Sequence, residues 1–130
     1  MRLVSGLGEE VESLARATIG AAIAVHRELG PGYLESVYES ALCVELTGRA
    51  VPFVRQHAFA VSYKKQRVGD GRIDILVGGA IVVELKSAES LAPIHEAQVL
   101  SYLRATGLRL GLLMNFNVPV MKDGIRRLIL

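Results

Sequence analysis

The spacing of apolar residues divides the chain into a helical first part and a mainly extended second part. Over residues 9–29, apolar side chains recur at about every third or fourth position, which is typical of a helix with one buried face. The Gly-Pro-Gly sequence at 30–32 ends this helix, because proline cannot continue the hydrogen-bond ladder. A second helix is predicted over residues 34–46, and the Thr-Gly pair that follows ends it.

From residue 51 onward the pattern changes to alternation and β-branched residues, which predict strands. The pattern at Gln56-His57 leaves open whether the first strand is broken there. The glycine pair at 78–79 predicts a hairpin between the next two strands. The predicted elements are strands over 53–63, 72–77 and 81–87, with a polar turn over 64–71.

The last part of the chain predicts a helix followed by a buried strand. Pro93 is suited to open a helix that runs to about residue 105, and Gly107 ends it. Residues 110–116 are nearly all apolar, as expected for a central strand covered on both faces. A loop over 118–124 and a short strand or helix end over 125–130 follow. The order of elements predicts a single α/β domain over residues 1–130, with a mixed central sheet flanked by helices.

Composition narrows the class of protein. Of the 130 residues, 51% are hydrophobic and 5% aromatic, so an aliphatic core is expected. No apolar run reaches the ~18 residues that would cross a membrane, and the first residues lack the pattern of a secretory signal. A single cysteine, Cys43, cannot form an internal disulfide. We therefore expect a cytoplasmic protein without a membrane partner.

The charges are unevenly distributed. Residues 1–50 carry four Arg and seven Glu, a net charge of −3, whereas residues 51–130 carry eleven Lys and Arg and six acidic residues, a net charge of +5. Such a basic half could steer a polyanion to the protein, although an ordinary solvated surface has the same composition. The basic residues in question are Arg55, Lys64, Lys65, Arg67, Arg72, Lys122, Arg126 and Arg127.

Three charged residues interrupt the apolar hairpin strands. Glu84 and Lys86 share one face of their strand because side chains alternate. A two-residue turn would pair Asp74 with Val83, whereas a three-residue loop pairs Asp74 with Glu84. We predict the three-residue loop, because only that register brings two carboxylates to one metal ion with a lysine beside them.

The third helix carries polar side chains that could complete a site. Gln98 and Tyr102 lie four residues apart and share a helix face. A glutamine can hold water or a phosphate oxygen, and a tyrosine can contact phosphate or stack on a base. Packing of a helix rim on the sheet would explain both residues equally well. His95 lies one turn earlier, and a lone histidine is more often an ordinary surface residue.

These motifs together resemble a known superfamily. The sequences Gly71-Arg72-Ile73-Asp74, Glu84-Leu85-Lys86 and Gln98-Val99-Leu100-Ser101-Tyr102 resemble the active site of PD-(D/E)XK nucleases, and the Q-x-x-x-Y part resembles their RecB-like branch. Gly32-Tyr33-Leu34-Glu35-Ser36-Val37-Tyr38 is similar to the signature of the GxxExxY proteins, a small bacterial and archaeal family of that superfamily. Segments 26–30, 93–98 and 115–119 are also similar to that family, so the resemblance extends from about residue 10 to the end.

The resemblance implies a restriction-endonuclease-like fold with an αβββαβ core. It implies that Asp74, Glu84 and the backbone carbonyl of Leu85 bind Mg²⁺ or Mn²⁺, and that Lys86 positions or activates the attacking water. Glu35 is the candidate for a further metal ligand; without the resemblance it would be interpreted as a surface residue. The other expected catalytic or substrate-binding side chains are Gln98, Tyr102 and Tyr38, with His95 as a weaker candidate.

The expected function is that of a metal-dependent phosphodiesterase acting on nucleic acid. DNA, rather than RNA, is the substrate that we expect. Two alternatives remain open: a binding module of the same fold that does not cleave, and a hydrolase of a small phosphoester. The protein could act with a larger partner or as a homodimer. Segments 110–114 and 128–130 are apolar enough for a dimer interface, but they fit the core equally well.

Overall fold

The computed structural model of the chain describes residues 6–130, in which the backbone forms three α-helices and five strands. A short 3-10 helix, Met121–Gly124, precedes the last strand. The observed order contains the predicted αβββαβ sequence of elements. The elements are α1 Glu9–Leu29, α2 Glu35–Gly48, β1 Phe53–Tyr63, β2 Gln66–Val77, β3 Ile81–Lys86, α3 Pro93–Thr106, β4 Leu110–Asn115 and β5 Ile125–Ile129.

The five strands form one mixed sheet in the order β1-β2-β3-β4-β5. Only β3 and β4 are parallel; the other neighbours are antiparallel. Helices α1 and α2 pack on one face of the sheet, and α3 packs on the other, each against its own group of buried aliphatic side chains. The predicted mixed α/β architecture is confirmed, and the parallel β3–β4 pair is connected through α3 as such pairs require.

The polar turn predicted over residues 64–71 is wrong. Strands β1 and β2 remain paired as far as Tyr63 and Gln66, so the turn consists of Lys64 and Lys65 alone. Strand β1 is continuous across Gln56, which resolves the open question of a break. Residues 60–70 are exposed on both faces of the hairpin, so their sequence lacks the alternation that marks a half-buried strand.

Two further boundaries differ from the sequence-based expectation. Helix α2 continues to Gly48, two residues beyond its predicted end. The segment predicted as a loop over 118–124 contains the 3-10 helix, and β5 is a strand at the edge of the sheet rather than a helix end. Helix α3 ends as predicted at Gly107, whose φ of 74° is the left-handed geometry of a helix terminus.

The central strand β4 is fully buried, which decides between the two interpretations of segment 110–114. All six residues of β4 are covered, because α3 lies over one face of the strand and α1 with its neighbours over the other. This segment is therefore core, the one of the two open alternatives in which it does not form a dimer interface. Ile129 and Leu130 remain on the surface. No helix within residues 6–130 combines the length and apolar character that crossing a membrane requires.

Candidate active site

The β2–β3 hairpin has the register that a shared carboxylate site requires. Val77 pairs with Ile81 and Ile75 pairs with Val83, so the connection is the predicted three-residue loop. Gly78 and Gly79 occupy it with φ values of 58° and 65°, a conformation that side chains disfavour. This register is what places Asp74 across from Glu84.

The two carboxyl groups meet where the backbone ladder between β2 and β3 stops. The amide of Asp74 donates to Glu84 Oε1 at 3.4 Å. The amide of Leu85 donates to Asp74 Oδ2 at 2.9 Å. Each carboxyl group thus contacts the other strand. Both lie on the sheet face that α3 covers, as do Leu76, two positions after Asp74, and Val82, two positions before Glu84.

The opposite side of β2 is also distorted at Asp74. The residue across from it on β1 is Gln56, whose φ of 49° is unfavourable for a residue other than glycine. The Gln56 side chain donates to Glu39 Oε1 at 2.7 Å, and Arg55 binds the other oxygen of the same carboxylate. Glu39 of α2 therefore holds this bend of β1, which lies behind the candidate site.

Glu84 is the most strongly perturbed acid of the site. Its residue is only 4% exposed. Burial, together with the hydrogen bond to Asp74 and the charge of Asp74, raises the pKa of the Glu84 carboxyl to about 9. Glu84 therefore keeps its proton at neutral pH unless a cation lies beside it.

Lys86 and Glu35 lie close enough to the carboxyl pair to affect its electrostatics. Partial burial raises the pKa of Glu35; the charge of Lys86 opposes this shift, and the charge of Asp74 adds to it. Glu35 is the first residue of α2 and remains accessible to solvent. Lys86, at the end of β3, is half-buried. The structure thus brings Glu35, Lys86 and the two carboxyl groups into one region.

Gln98 and Tyr102 form a connected pair on α3. Gln98 Nε2 donates to the Tyr102 hydroxyl at 3.2 Å. Burial raises the pKa of the Tyr102 hydroxyl, and the nearby charges of Glu84 and Asp74 raise it further. The pair therefore lies on the same side of the sheet as the carboxyl groups, within their electrostatic range.

Tyr38 does not lie where a substrate could reach it, so its prediction as a substrate-binding side chain is corrected. The side chain is completely buried and stacks on Phe116 at a centroid separation of 4.6 Å. Its hydroxyl donates to the carbonyl of Gly30 at 2.6 Å and accepts from the amide of Tyr33 at 3.2 Å. Tyr38 fixes the turn between α1 and α2, and so helps to position Glu35.

His95 has a local structural role. Its Nδ1 accepts a hydrogen bond from the amide of Ala92 at 3.0 Å, which satisfies a backbone donor at the start of α3. Among residues 6–130, no hydrogen bond or ion pair connects His95 with the carboxyl pair, and its role in substrate binding stays a prediction.

Sequence reasoning missed the residue that supports Tyr102. The ring of Phe59 packs edge-on against the Tyr102 ring, with 4.9 Å between centroids. Phe59 lies across from Gly71 on the neighbouring strand, and a Cβ at Gly71 would lie 2.1 Å from the ring. An aromatic residue opposite a strand glycine was the available signal, because the ring fills the space that the missing side chain leaves.

Asn115 is a second residue that sequence reasoning did not assign a role. Its buried side chain accepts from the amide of Ala88 at 3.1 Å and donates to the carbonyl of Ala88 at 2.9 Å. Ser87 Oγ, one residue earlier, donates to the carbonyl of Tyr33 at 2.6 Å. These bonds hold the segment that follows Lys86 against β4 and against the α1–α2 turn.

We expect Asn115→Ala to lower the free energy of unfolding by about 1–3 kcal/mol, because it removes the acceptor of the Ala88 amide and the shorter of the two hydrogen bonds to the Ala88 carbonyl. Urea denaturation measures the change. Asn117→Ala is the matched control, since Asn117 Nδ2 lies at 3.4 Å from the same carbonyl and should contribute little. Equal losses in the two variants would contradict the role assigned to Asn115.

The donors at the site fit a hard divalent cation. Carboxylate oxygens are the ligands that Mg²⁺ prefers, and the charge of a cation between Asp74 and Glu84 would oppose the burial and the negative charge that raise the Glu84 pKa. Within residues 6–130, no group of three or more His, Cys, Asp or Glu side chains is arranged to hold a metal. The protein side chains would therefore leave most coordination positions to water, backbone or substrate oxygens, as is common for Mg²⁺.

Comparison with known proteins agrees with this geometry. A family model of the PD-(D/E)XK nuclease superfamily matches residues 12–128, which is nearly the whole chain. Searches of curated proteins and of solved structures give no match. The matched region contains the β2–β3 hairpin, the carboxyl pair and the Gln98–Tyr102 pair, and the chain belongs to the PD-(D/E)XK nuclease superfamily.

Proposed function

We propose that this protein is a nuclease that uses Mg²⁺ or Mn²⁺ to hydrolyse phosphodiester bonds in DNA. The observation that carries the proposal is the carboxyl pair itself. Asp74 and buried Glu84 contact each other across a hairpin, where burial, the hydrogen bond to Asp74 and the charge of Asp74 together raise the pKa of Glu84. The superfamily to which the chain belongs consists generally of nucleases, which supports the same chemistry.

Asp74 and Glu84 would hold the metal, with the backbone carbonyl of Leu85 as a further ligand and Glu35 as a candidate for another. Their proximity supports this set, since the charge of Asp74 acts on both glutamates. Bound there, the ion would polarise a phosphate oxygen and lower the pKa of a bound water.

The other side chains have roles that their positions support. Lys86 would hold the attacking water in line with the phosphorus or offset the charge that develops on the phosphate. Gln98 and the hydroxyl of Tyr102 would hold a phosphate oxygen or a water, since their hydrogen bond already orients them together. The Tyr102 ring, which is partly exposed, could also contact a base.

Within the superfamily, we assign the chain to the GxxExxY proteins and to the RecB-like branch with its Q-x-x-x-Y motif. The assignment is supported by the structural role that each motif residue has. Gly32 adopts a φ of 107° in the turn, Glu35 starts the helix beside the carboxyl pair, and Tyr38 is bonded to the turn. The Q-x-x-x-Y motif corresponds to the hydrogen-bonded Gln98–Tyr102 pair.

The test is cleavage of labelled single- and double-stranded DNA and RNA in Mg²⁺, Mn²⁺ or EDTA. We expect cutting of DNA that requires metal and that falls by about 10³-fold or more in Asp74→Asn, because the lost ligand supplies several kcal/mol of transition-state stabilisation. Asp123→Asn changes an exposed carboxylate of the 3-10 helix and should cut like the wild type.

Other outcomes would contradict the proposal in distinguishable ways. Cutting in EDTA, or equal cutting by wild type and Asp74→Asn, would exclude the carboxyl pair as the metal site. A folded wild type that binds DNA without cutting it would indicate a binding module. A protein that neither binds nor cuts the polymers would point to a small phosphoester as substrate.

A further inference from the structure

The hairpin of β1 and β2 extends well beyond the packed part of the sheet. Every residue over 60–70 is exposed, on both faces of the two strands. We call this segment the hairpin arm. A two-stranded hairpin without a covered face is only marginally stable and adds no core. Packing of this domain therefore does not account for the length of the arm.

The tip of the arm consists of two lysines in an unfavourable backbone conformation. Lys64 and Lys65 have φ values of 50° and 65°. Two-residue hairpin turns of this type strongly prefer Asn-Gly or Gly-Gly, because a Cβ is disfavoured at positive φ. Lysine has no short polar side chain that could compensate by a local hydrogen bond. Two lysines at the tip thus lower the stability of the folded protein. A destabilising pair of charges at an exposed position indicates a functional role for them.

The arm is strongly basic as a whole. Residues 60–70 and the adjoining Arg72 together carry four cationic side chains and one carboxylate, a net charge of +3 (4 − 1). The carboxylate, Asp70, is paired with Arg67. Tyr63 beside the tip is 63% exposed, and Lys64 Nζ lies 5.5 Å from the centre of its ring. The four cations are Lys64, Lys65, Arg67 and Arg72.

An open cleft lies between the base of the arm and the second half of α3. It has a volume of about 420 Å³ and includes the cationic side chain of Arg104. Since α3 also carries Gln98 and Tyr102, the cleft opens on the same face of the sheet as the carboxyl pair. Its lining residues are Ala60, Val61, Ser62, Ser101, Arg104 and Ala105.

We propose that the hairpin arm binds the sugar-phosphate backbone of a DNA duplex whose phosphodiester bond lies at the carboxyl pair. This inference rests on the proposed function and names how its substrate is held. Asp74 is nine positions after Lys65, and a strand rises ~3.3 Å per residue, so the tip lies roughly 30 Å away. That reach corresponds to about nine base pairs at ~3.4 Å each. The lysines would neutralise phosphates there, and the cleft with Arg104 would contact the backbone in between.

The experiment measures binding of a labelled 24-base-pair DNA duplex by fluorescence anisotropy in EDTA, over a range of salt concentrations. The variant is Lys64→Asn combined with Lys65→Gly, which removes both charges and supplies the residues that this turn prefers. We expect its melting temperature to equal or exceed that of the wild type. We expect its affinity to fall by about 10–30-fold near 0.15 M salt, and the slope of log K against log salt to flatten by about 2.

A variant with the same change in net charge is the control. Arg16→Gln combined with Arg49→Gln removes two cations from α1 and from the end of α2, on the other face of the sheet. The control should bind DNA as the wild type does. An equal loss of DNA affinity in both variants would show that net charge alone causes the effect, and it would overturn the proposal. Unchanged binding by the tip variant, or a wild type that binds no duplex, would overturn it as well.

The binding assay is independent of cleavage, so the two proposals can fail separately. If the wild type cuts nothing but shows binding that depends on Lys64 and Lys65, the nuclease proposal fails and the role of the arm is supported. If the tip variant binds and cuts as well as the wild type does, the role of the arm is wrong and the nuclease proposal stands.

Discussion

Replacing Glu84 with glutamine is expected to raise the melting temperature of the metal-free protein and to abolish cleavage. Glutamine keeps the shape of the side chain and a donor toward Asp74, but it carries no ionisable group. In the wild type, burial and the neighbouring Asp74 raise the Glu84 pKa to about 9. The buried carboxyl group therefore weakens folding at neutral pH, and the variant removes this penalty while it removes a metal ligand.

The pH dependence gives this prediction a definite sign. Below the unfolded pKa of about 4.5, the Glu84 carboxyl is protonated in both the folded and the unfolded protein, and the folded state is most stable there. As the pH rises towards 9, the carboxyl ionises in the unfolded protein but stays protonated in the folded one, so the free energy of unfolding falls. Over that range, Glu84 makes the wild type less stable by about 1 kcal/mol per pH unit. Glu84→Gln should lack this slope, so the stability difference between the two proteins should grow from pH 5 to pH 8.

Chemical denaturation in EDTA at several pH values measures the difference. Glu39→Gln is the matched control, since it removes a carboxylate that is paired with Arg55 and should not stabilise the protein. Addition of Mg²⁺ or Mn²⁺ should raise the melting temperature of the wild type and have little effect on Glu84→Gln. Parallel pH profiles of wild type and Glu84→Gln would show that the Glu84 pKa is not raised in the folded metal-free protein and would contradict this prediction.

The hairpin with the carboxyl pair was predictable because short-range rules determine it. Residues alternate along β2 and β3, and their pairing depends only on the length of the loop at Gly78 and Gly79. A requirement for two adjacent carboxylates then selects one register of two. The helices and the buried strand β4 follow in the same way from apolar periodicity.

The β2 side of the hairpin arm was not predictable from the same rules, although β1 was predicted as far as Tyr63. Hydrophobic periodicity reports burial, and the arm is exposed on both faces, so its polar sequence looks like a loop. The lysines at its tip also give the opposite of the usual turn signal, since they occupy positions where Asn or Gly is expected. Only the backbone pairing between β1 and β2 reveals that the strands continue.

The roles of Tyr38, Phe59 and Asn115 depend on contacts that are distant in sequence or absent from helix and strand patterns. Tyr38 is one residue of a motif that includes Glu35, yet it bonds the preceding turn while the glutamate reaches the site. Phe59 supports Tyr102, which lies on a helix two strands later. Asn115 follows an apolar run and bonds the end of β3. A motif identifies which residues belong together, but tertiary contacts decide which of them can touch a substrate.

Replacing Lys86 with glutamine is expected to reduce metal-dependent cleavage by about 10²–10⁴-fold, the range typical of a side chain that assists proton transfer or stabilises developing charge. Lys86 is half-buried at the end of β3, and it forms none of the ion pairs within 4 Å that occur among residues 6–130. Its removal should therefore change the melting temperature by no more than about 2 °C.

Single-turnover cleavage of the DNA substrate, together with thermal denaturation in EDTA and in Mg²⁺, measures both effects. The stabilisation by Mg²⁺ should persist in Lys86→Gln, because Asp74 and Glu84 are unchanged and their repulsion remains to be relieved. Lys122→Gln, an exposed lysine of the 3-10 helix, is the control and should cut like the wild type. A Lys86→Gln variant that loses metal binding or stability along with activity would contradict this role. It would show instead that the charge of Lys86 holds the carboxyl pair in place in the protein without substrate.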